Sequence, residues 1–383
     1  MDFDLSLEQK LFSDSVAQFA RRHLAAGAAA RARDPGFPFD VARLMSAQGV
    51  LGITIPEALG GQGGTLMDAV LAIEAVAAVC PRSADVVQAG NFGPIRTFAE
   101  YANDRLRARV LPRLLSGEAA IGLGMSEPDA GSAVTELATT AKKTQGGFRV
   151  NGSKVFMTHS LDAAFLLVYA RFGPGVDGIG ALLIDAGAQG VSFGEPVRYM
   201  SGEQWRQVYL DDCFVPDSDI VVGAGGFKRL ITGFNAERIG NAARSLALGR
   251  HAFVLARDYA LARMQFGRRI AEFQGIQWKF ADMEASLRAA QLLLYKAAVA
   301  ADRGLPDAQD TAIAKYLCNR AGFEVANEAM QVAGGAGFSE MSLIDYCMRR
   351  TRGWMIAGGS LEMMRNRIAE GVFGVRFAQR RRE

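Results

Sequence analysis

Between Ile121 and about Val222 the chain stops repeating its apolar residues with a helical period and runs instead as short extended segments between turn signals. Helical spacing precedes this stretch, over residues 1–120, and returns after Gly223-Ala224-Gly225-Gly226 to last to the end. A chain ordered in this way must carry a small β domain inserted between helical ones. The expectation is an α+β fold, mostly α, with domains over 1–120, 121–225 and 226–383.

Local signals fill in the three parts. Ser6-Leu7-Glu8-Gln9 has capping-box form, and Leu7, Leu11, Phe12, Val16 and Phe19 mark one face of the helix it starts. Pro35, Pro38 and Gly60-Gly61-Gln62-Gly63-Gly64 separate further helices, one of them alanine-rich from Met67 to Val79, and Asn91-Phe92-Gly93-Pro94 breaks the next. In the middle part Asn151-Gly152 reads as a hairpin turn between extended runs. Phe165–Tyr169 and Ala181–Ile184 read as buried strands, and Arg206–Leu210 as a strand exposed on one side. The C-terminal helices break near Gly304-Leu305-Pro306 and Gly334-Gly335-Ala336-Gly337.

A formal charge of +3 on 383 residues, half of them hydrophobic, describes an ordinary soluble globular protein and argues against a nucleic-acid binder. Arg380-Arg381-Arg382 reads as a solvated tail. Cys80, Cys213, Cys318 and Cys347 show no CxxC spacing, so neither a zinc site nor a disulfide framework is expected, and a reducing compartment, the cytoplasm, fits. The N-terminus carries Asp2 and Asp4 and no secretory pattern, and no apolar run reaches membrane-spanning length.

Three segments carry chemistry. Gly233–Gly240 places Glu237 near the start of a long helix whose small residues Ala236, Gly240, Ala243 and Ala247 recur at three- and four-residue spacing. Such a stripe lets a flat group lie close, and Glu237 is then a candidate base; the plainer reading is a carboxylate favoured at a helix N-terminus and paired with a basic neighbour. Met125–Ser132 is a turn-rich segment whose hydroxyls and backbone N–H groups suit a phosphate or the polar edge of a ring, or it is simply a loop. Phe156-Met157-Thr158 puts an aromatic face and a hydroxyl on the same side of a strand, where core packing accounts for the ring alone.

Together these segments resemble the acyl-CoA dehydrogenase family, over nearly the whole chain. Met125–Ser132 is similar to the family's T-E-P-x-A-G-S segment, Phe156-Met157-Thr158 to its W-I-T segment and Arg263–Gly267 to its R-x-x-F-G segment; Gln331–Phe338 and Gly358–Glu362 complete the set in family order. The resemblance implies a helical domain, a β-barrel-like or β-sandwich domain and a C-terminal four-helix bundle, assembled as a homotetramer with FAD. By the same resemblance Met125 and Ser126 meet the pyrimidine side of the flavin, Ser132 the pyrophosphate, Phe156 the ring face and Thr158 the neighbourhood of N5. Across a subunit interface Arg263, Gln265, Phe266, Phe273, Gln274, Gln331, Gly334 and Gly335 hold the diphosphate and adenosine half, with Ser360 and Glu362 completing the grip. Arginine suits a diphosphate and glycine lets backbone approach it.

The family's usual base, the Glu of an E-G-T segment, is replaced here by Gly358. A subset, including the isovaleryl and long-chain branches, supplies it from an E-R pair on the long helix, which Glu237-Arg238 matches. The implied reaction is α,β-dehydrogenation of an acyl-CoA: Glu237 removes the α proton while the β hydrogen leaves as hydride to flavin N5, with Asn235, Arg238 and Gly358 at the substrate and the Gly358 N–H among the donors to the thioester oxygen. Exclusion of water should raise the proton affinity of Glu237 to suit that role. Electron-transfer flavoprotein is the implied acceptor. Where members often carry R-x-S-x-T this chain has Ser201-Gly202-Glu203-Gln204-Trp205, which leaves the CoA grip open; His159 stands where Asn is common, either tuning the flavin or lying at the surface. Rival readings are an oxidase or flavin monooxygenase on the same fold, and a non-catalytic partner subunit or acyl-thioester scaffold.

Overall fold

The computed structural model describes residues 4–303 and 307–377; Asp2, the break at Gly304-Leu305-Pro306 and the Arg380-Arg381-Arg382 run lie outside them. The chain divides into two compact units, Ser6–Ala236 and the residues from Glu237 onward.

The first unit opens with helices α1 (Leu7–Leu24), α2 (Ala28–Arg31), α3 (Phe39–Ala47), α4 (Leu66–Ala77), α5 (Ala84–Asn91), α6 (Pro94–Tyr101) and α7 (Asp104–Leu115). The starts of α1, α4 and α7 are fixed by side chains that satisfy free backbone N–H groups: capping boxes at Ser6 and Thr65, and Asn103 before α7. On α1 the expected apolar face is buried only in its second half, at Val16 and Phe19, while Leu7 and Leu11 are exposed. Periodicity gives the direction of a face and not the extent of its cover.

The strands are β1 (Ile121–Gly124), β2 (Thr140–Thr144), β3 (Gly147–Lys154), β4 (Phe165–Arg171), β5 (Ile179–Asp185), β6 (Val191–Phe193), β7 (Val197–Arg198), β8 (Gln204–Trp205), β9 (Val208–Pro216) and β10 (Ile220–Val222). Eight of them form one sheet in the order β10-β5-β4-β2-β3-β9-β6, with β1 parallel to β4; β6 does not pair with β10, so the sheet is open and no barrel closes. The centre of the sheet is buried on both faces. Phe165, Leu167 and Tyr169 of β4 join a core with Phe98, Leu106 and Val110 of α6 and α7, while Leu166, Val168 and Ala170 join Val150, Leu182 and Val208.

One turn assignment is corrected. Asn151-Gly152 lies inside β3, at a register shift opposite β9, and the β2–β3 hairpin turns instead through Gly146, whose φ is 74°. Gly152 is there because a Cβ would stand 2.4 Å from Thr139 Oγ1. A long-range contact outweighs the local turn preference.

Helix α8 (Phe227–Ala262) begins in the first unit and leads into α9 (Gln274–Asp302), α10 (Ala308–Ala333), α11 (Gly335–Phe338), α12 (Ile344–Trp354) and α13 (Leu361–Phe373). Within the second unit α10 packs against α9, α12 and α13. Against α8 it packs closely: a Cβ on Gly322 would stand 2.2 Å from Ser245 O, and one on Gly249 2.8 Å from the Gly322 Cα. Gly240, Ala243 and Ala247 of the small-residue stripe are buried by the protein itself, so they serve helix packing and leave no open face for a flat ligand. The four cysteines are buried and none forms a disulfide. Among the described residues no helix is long and apolar enough to cross a membrane, and no group of His, Cys, Asp and Glu is arranged to hold a metal.

Candidate active site

In the first unit, β1 delivers the chain into the Met125–Ser132 loop and β3 delivers it to Phe156. One buried ion pair locks the two segments together. Lys154, the last residue of β3, donates from Nζ to Glu127 Oε1 at 2.6 Å, with side-chain exposures of 0% and 6%. The Glu127 carboxylate also accepts the backbone N–H groups of Ala138 at 2.5 Å and Thr139 at 3.0 Å. Burial alone would raise this carboxyl, but Lys154 and those hydrogen bonds outweigh it and hold it below the usual range. Burial pushes the Lys154 ammonium down to about 8, with Glu127 acting against the shift. At neutral pH the pair is therefore charged on both sides, and Val155 N–H donating to Ser126 O adds a backbone tie.

The lock presents the next residues outward. Val155 and Met157 are buried, whereas Phe156 is 60% exposed and Thr158 is exposed. The alternation survives, but β3 ends at Lys154, so Phe156 and Thr158 do not sit on a strand as expected. Phe156 takes a left-handed φ of 55°, which ends the strand. Its ring lies 4.6 Å from that of Trp205, and Trp205 lies 6.2 Å from Tyr199. Met125 and Ser126 are half-buried and Ser132 is exposed. His159, also left-handed, sets its ring edgewise on Phe37 at 4.7 Å. The Ser201–Trp205 segment is folded inward: Ser201 donates to Glu203, both are buried, and Glu203 stands 3.7 Å from the buried Arg82. Asn235, on the first turns of α8, is buried.

In the second unit Glu237 is half-buried on α8. Its neighbour Arg238 donates from Nε to Gly358 O at 3.3 Å, which ties the E-R pair to the turn after α12. Burial, reinforced by Arg367, pushes the Arg238 guanidinium down to about 10, so it stays charged at neutral pH. Gly358 and Gly359 have φ of 72° and 93°, a backbone that disfavours the glutamate usual at position 358. Lys315 and Asn319 of α10 and Asn241 of α8 are buried around the same turn, and sequence reasoning missed all three.

The remaining expected ligands are spread over the second unit. Met264–Gln265 pairs with Arg268–Arg269 in a two-stranded hairpin turned by Phe266 and Gly267, both with positive φ. Arg263, Gln265, Phe266 and Gln274 are exposed, Phe266 at 93%, and Arg268 stacks on Phe273 at 4.1 Å. Gln331, Gly334 and Gly335 lie exposed where α10 ends, Gly334 having a φ of 58°. The glycines end a helix, at the break that the sequence placed near Gly334. Ser360 caps α13, accepting from Met363 N at 3.4 Å, and Glu362 is exposed on its first turn.

Comparison with known proteins gives the family. The family models for the N-terminal, middle and C-terminal domains of acyl-CoA dehydrogenase match residues 6–118, 122–213 and 224–373. The chain belongs to the acyl-CoA dehydrogenase family. It is 30% identical over 387 residues to a 3-sulfinopropanoyl-CoA desulfinase of Paraburkholderia xenovorans, covering 99% of each chain, and 30% identical over 372 residues to an acyl-CoA dehydrogenase of Bacillus subtilis, covering 96% of this chain and 98% of that one. The structure of a glutaryl-CoA dehydrogenase in complex with glutaryl-CoA superposes with a TM-score of 0.93 at 29% identity, covering 100% of this chain and 99% of that one. Acyl-CoA dehydrogenases are FAD-dependent oxidoreductases. The residues here fit that cofactor: an exposed aromatic ring and hydroxyls stand on two segments that a buried ion pair ties together.

Proposed function

We propose that this acyl-CoA dehydrogenase family member removes the α and β hydrogens of an acyl-CoA thioester to give the 2-enoyl-CoA, with Glu237 as the base. The observation that carries the reading is the tie from Arg238, next to Glu237, to Gly358 O. The family's usual position for the base is a glycine here, and the one other carboxylate the family uses stands on the helix bonded to that glycine. Phe156, Thr158, Met125, Ser126 and Ser132 would hold the isoalloxazine side of FAD, and the exposed hairpin with Gln331, Gly334, Gly335, Ser360 and Glu362 the adenosine side. When bound, FAD supplies the acceptor for the β hydride.

The protein's own work is acid–base and positional. Glu237 takes the α proton, and the Gly358 N–H donates to the thioester oxygen as negative charge develops there. Arg238 fixes the turn that carries this donor. Asn235 and Arg238 flank the base in sequence and would line the acyl end. The exposed Phe266, Trp278, Phe338 and Met341 support burial against further copies, and we read the assembly as a homotetramer with electron-transfer flavoprotein as acceptor. The Ser201–Trp205 segment supports a CoA grip that differs from the family pattern, since its Ser201 hydroxyl donates to the Glu203 carboxylate.

The test is an anaerobic titration of the FAD-loaded protein with short, branched, aromatic and dicarboxylic acyl-CoA esters, followed at the visible flavin band. At least one ester is expected to bleach the band and yield its enoyl-CoA. Retention of the band with every ester would overturn the reading.

A further inference from the structure

Lys315 lies fully buried in the first third of α10, and its hydrogen-bonded partners are a backbone carbonyl and an amide oxygen, not a carboxylate. It donates to Trp354 O, the last residue of α12, at 3.1 Å and to Asn241 Oδ1 of α8 at 3.3 Å. Asn319, one turn further along α10, donates to the same two oxygens, at 2.5 and 2.9 Å. Two side chains of α10 therefore clasp one carbonyl of α12 and one side chain of α8. The clasp is next to the proposed site: a Cβ on Gly358 would stand 3.5 Å from both Lys315 Cε and Asn241 Nδ2. Asn241 is one helical turn beyond Glu237, on the same face of α8.

Packing does not require a lysine here. Burying an ammonium is costly, and methionine or leucine would fill the same volume without desolvating a charge. Asn319 already makes both ties with a neutral group, so what Lys315 adds is its charge. The ionisable groups acting on it are Arg238, Glu237 and Arg244 from α8 and Cys318 from its own helix, and among these Glu237 is the carboxylate. We infer that Lys315 is a positioning residue for the reaction proposed above: its buried ammonium holds the Gly358 turn against α8 and keeps Glu237 ionised as the base. Burial, then Arg238, pushes the ammonium down to about 7, and Glu237 acts in the opposite direction. The support given to Glu237 is accordingly full on the acid side of neutrality and fades as the pH rises through that value.

The inference rests on Glu237 being the base, and one set of measurements separates the two. FAD-loaded wild type, Lys315→Met, Lys315→Gln and Asn319→Ala are mixed anaerobically with an acyl-CoA ester that bleaches the wild type, and the limiting rate of flavin reduction and the substrate Kd are recorded against pH. Both Lys315 variants are expected to bind substrate within about threefold of wild type, yet to reduce flavin roughly tenfold more slowly near pH 7, with the acid limb of the rate profile moved up by about one pH unit. Asn319→Ala should slow the reaction without moving the limb. A wild-type limb in either folded Lys315 variant overturns the inference, as does an equal displacement in Asn319→Ala, because that variant loses Asn319's two bonds and keeps the Lys315 charge. If Lys315→Met does not fold, Lys315→Gln, which keeps a donor for Trp354 O, decides alone. Failure of the underlying reading has a different signature: Glu237→Gln bleaches at the wild-type rate.

Discussion

Replacing Lys154 by Met removes a cation with no exposed surface and leaves the Glu127 carboxylate, 6% exposed, without its counter-charge. The N–H groups of Ala138 and Thr139 still donate to it, so it keeps part of its solvation. Breaking a buried pair from one side costs about 3–5 kcal/mol. Each kcal/mol moves the unfolding midpoint of a unit this large by roughly 2–4 °C, so the variant should unfold about 6–20 °C below wild type. Glu127→Gln with Lys154→Met removes both charges and keeps an acceptor for the loop, and is expected to recover more than half of that loss. The pH dependence supplies a second check. In the wild type the Glu127 carboxyl is held low, so its contribution is full above the ordinary carboxylate range and is lost as the pH falls through its folded value. In Lys154→Met only burial and the backbone donors remain, the carboxyl moves up, and acidification relieves the destabilisation instead. Circular dichroism melts of the FAD-loaded proteins at fixed scan rate across a pH series would show slopes of opposite sign between wild type and single variant in the acid range. A single variant melting within about 2 °C of wild type, or a double variant melting below the single one, would refute the reasoning.

Other outcomes follow from particular contacts. Gly322→Ala drives a methyl into the Ser245 carbonyl and should destabilise the second unit by about 1–3 kcal/mol, whereas Gly353→Ala, on α12 with open space around it, should be neutral or stabilising by up to about 1 kcal/mol; their melts give the comparison. Phe156→Ala should release FAD about five- to tenfold more readily, read from free flavin fluorescence on dilution, and unchanged retention would remove the ring from the cofactor site. Lys315 is depressed from 10.5 to about 7 in the folded state, so the unfolded chain binds the extra proton between those values and wild-type stability gains with pH across that window. The difference in unfolding midpoint, wild type minus Lys315→Met, should therefore rise between about pH 7 and pH 9.

What the sequence disclosed was governed by local rules. The change of period at Ile121, the capping boxes at Ser6 and Thr65 and the buried runs of β4 and β5 are properties of a few adjacent residues, and the structure follows them. Asn151-Gly152 departed because its glycine answers to Thr139, and the outer half of the α1 stripe because nothing within its own unit covers Leu7 and Leu11. The residues proposed to face the flavin, and Glu237 as the proposed base, were named from motifs that stand in family order along the chain. Lys315, Asn319 and Asn241 were not, since they meet across separations of 74 and 78 residues and a lysine on a helix ordinarily reads as solvated. One signal was present: Thr311, Ala312, Cys318 and Asn319, its neighbours at helical spacing, are small and uncharged, as on a buried face. The Glu127–Lys154 pair was hidden in the same way, by a sequence separation of 27.

The assignment of Glu237 as base is tested most directly by stopped-flow reduction of the FAD-loaded wild type and Glu237→Gln with one acyl-CoA ester, protiated and α-deuterated. The account predicts that both proteins bind flavin and ester, that the wild type is slowed by α-deuteration, and that Glu237→Gln loses at least about a thousandfold in reduction rate. Rapid bleaching of Glu237→Gln, with the wild-type isotope effect intact, would place the base elsewhere.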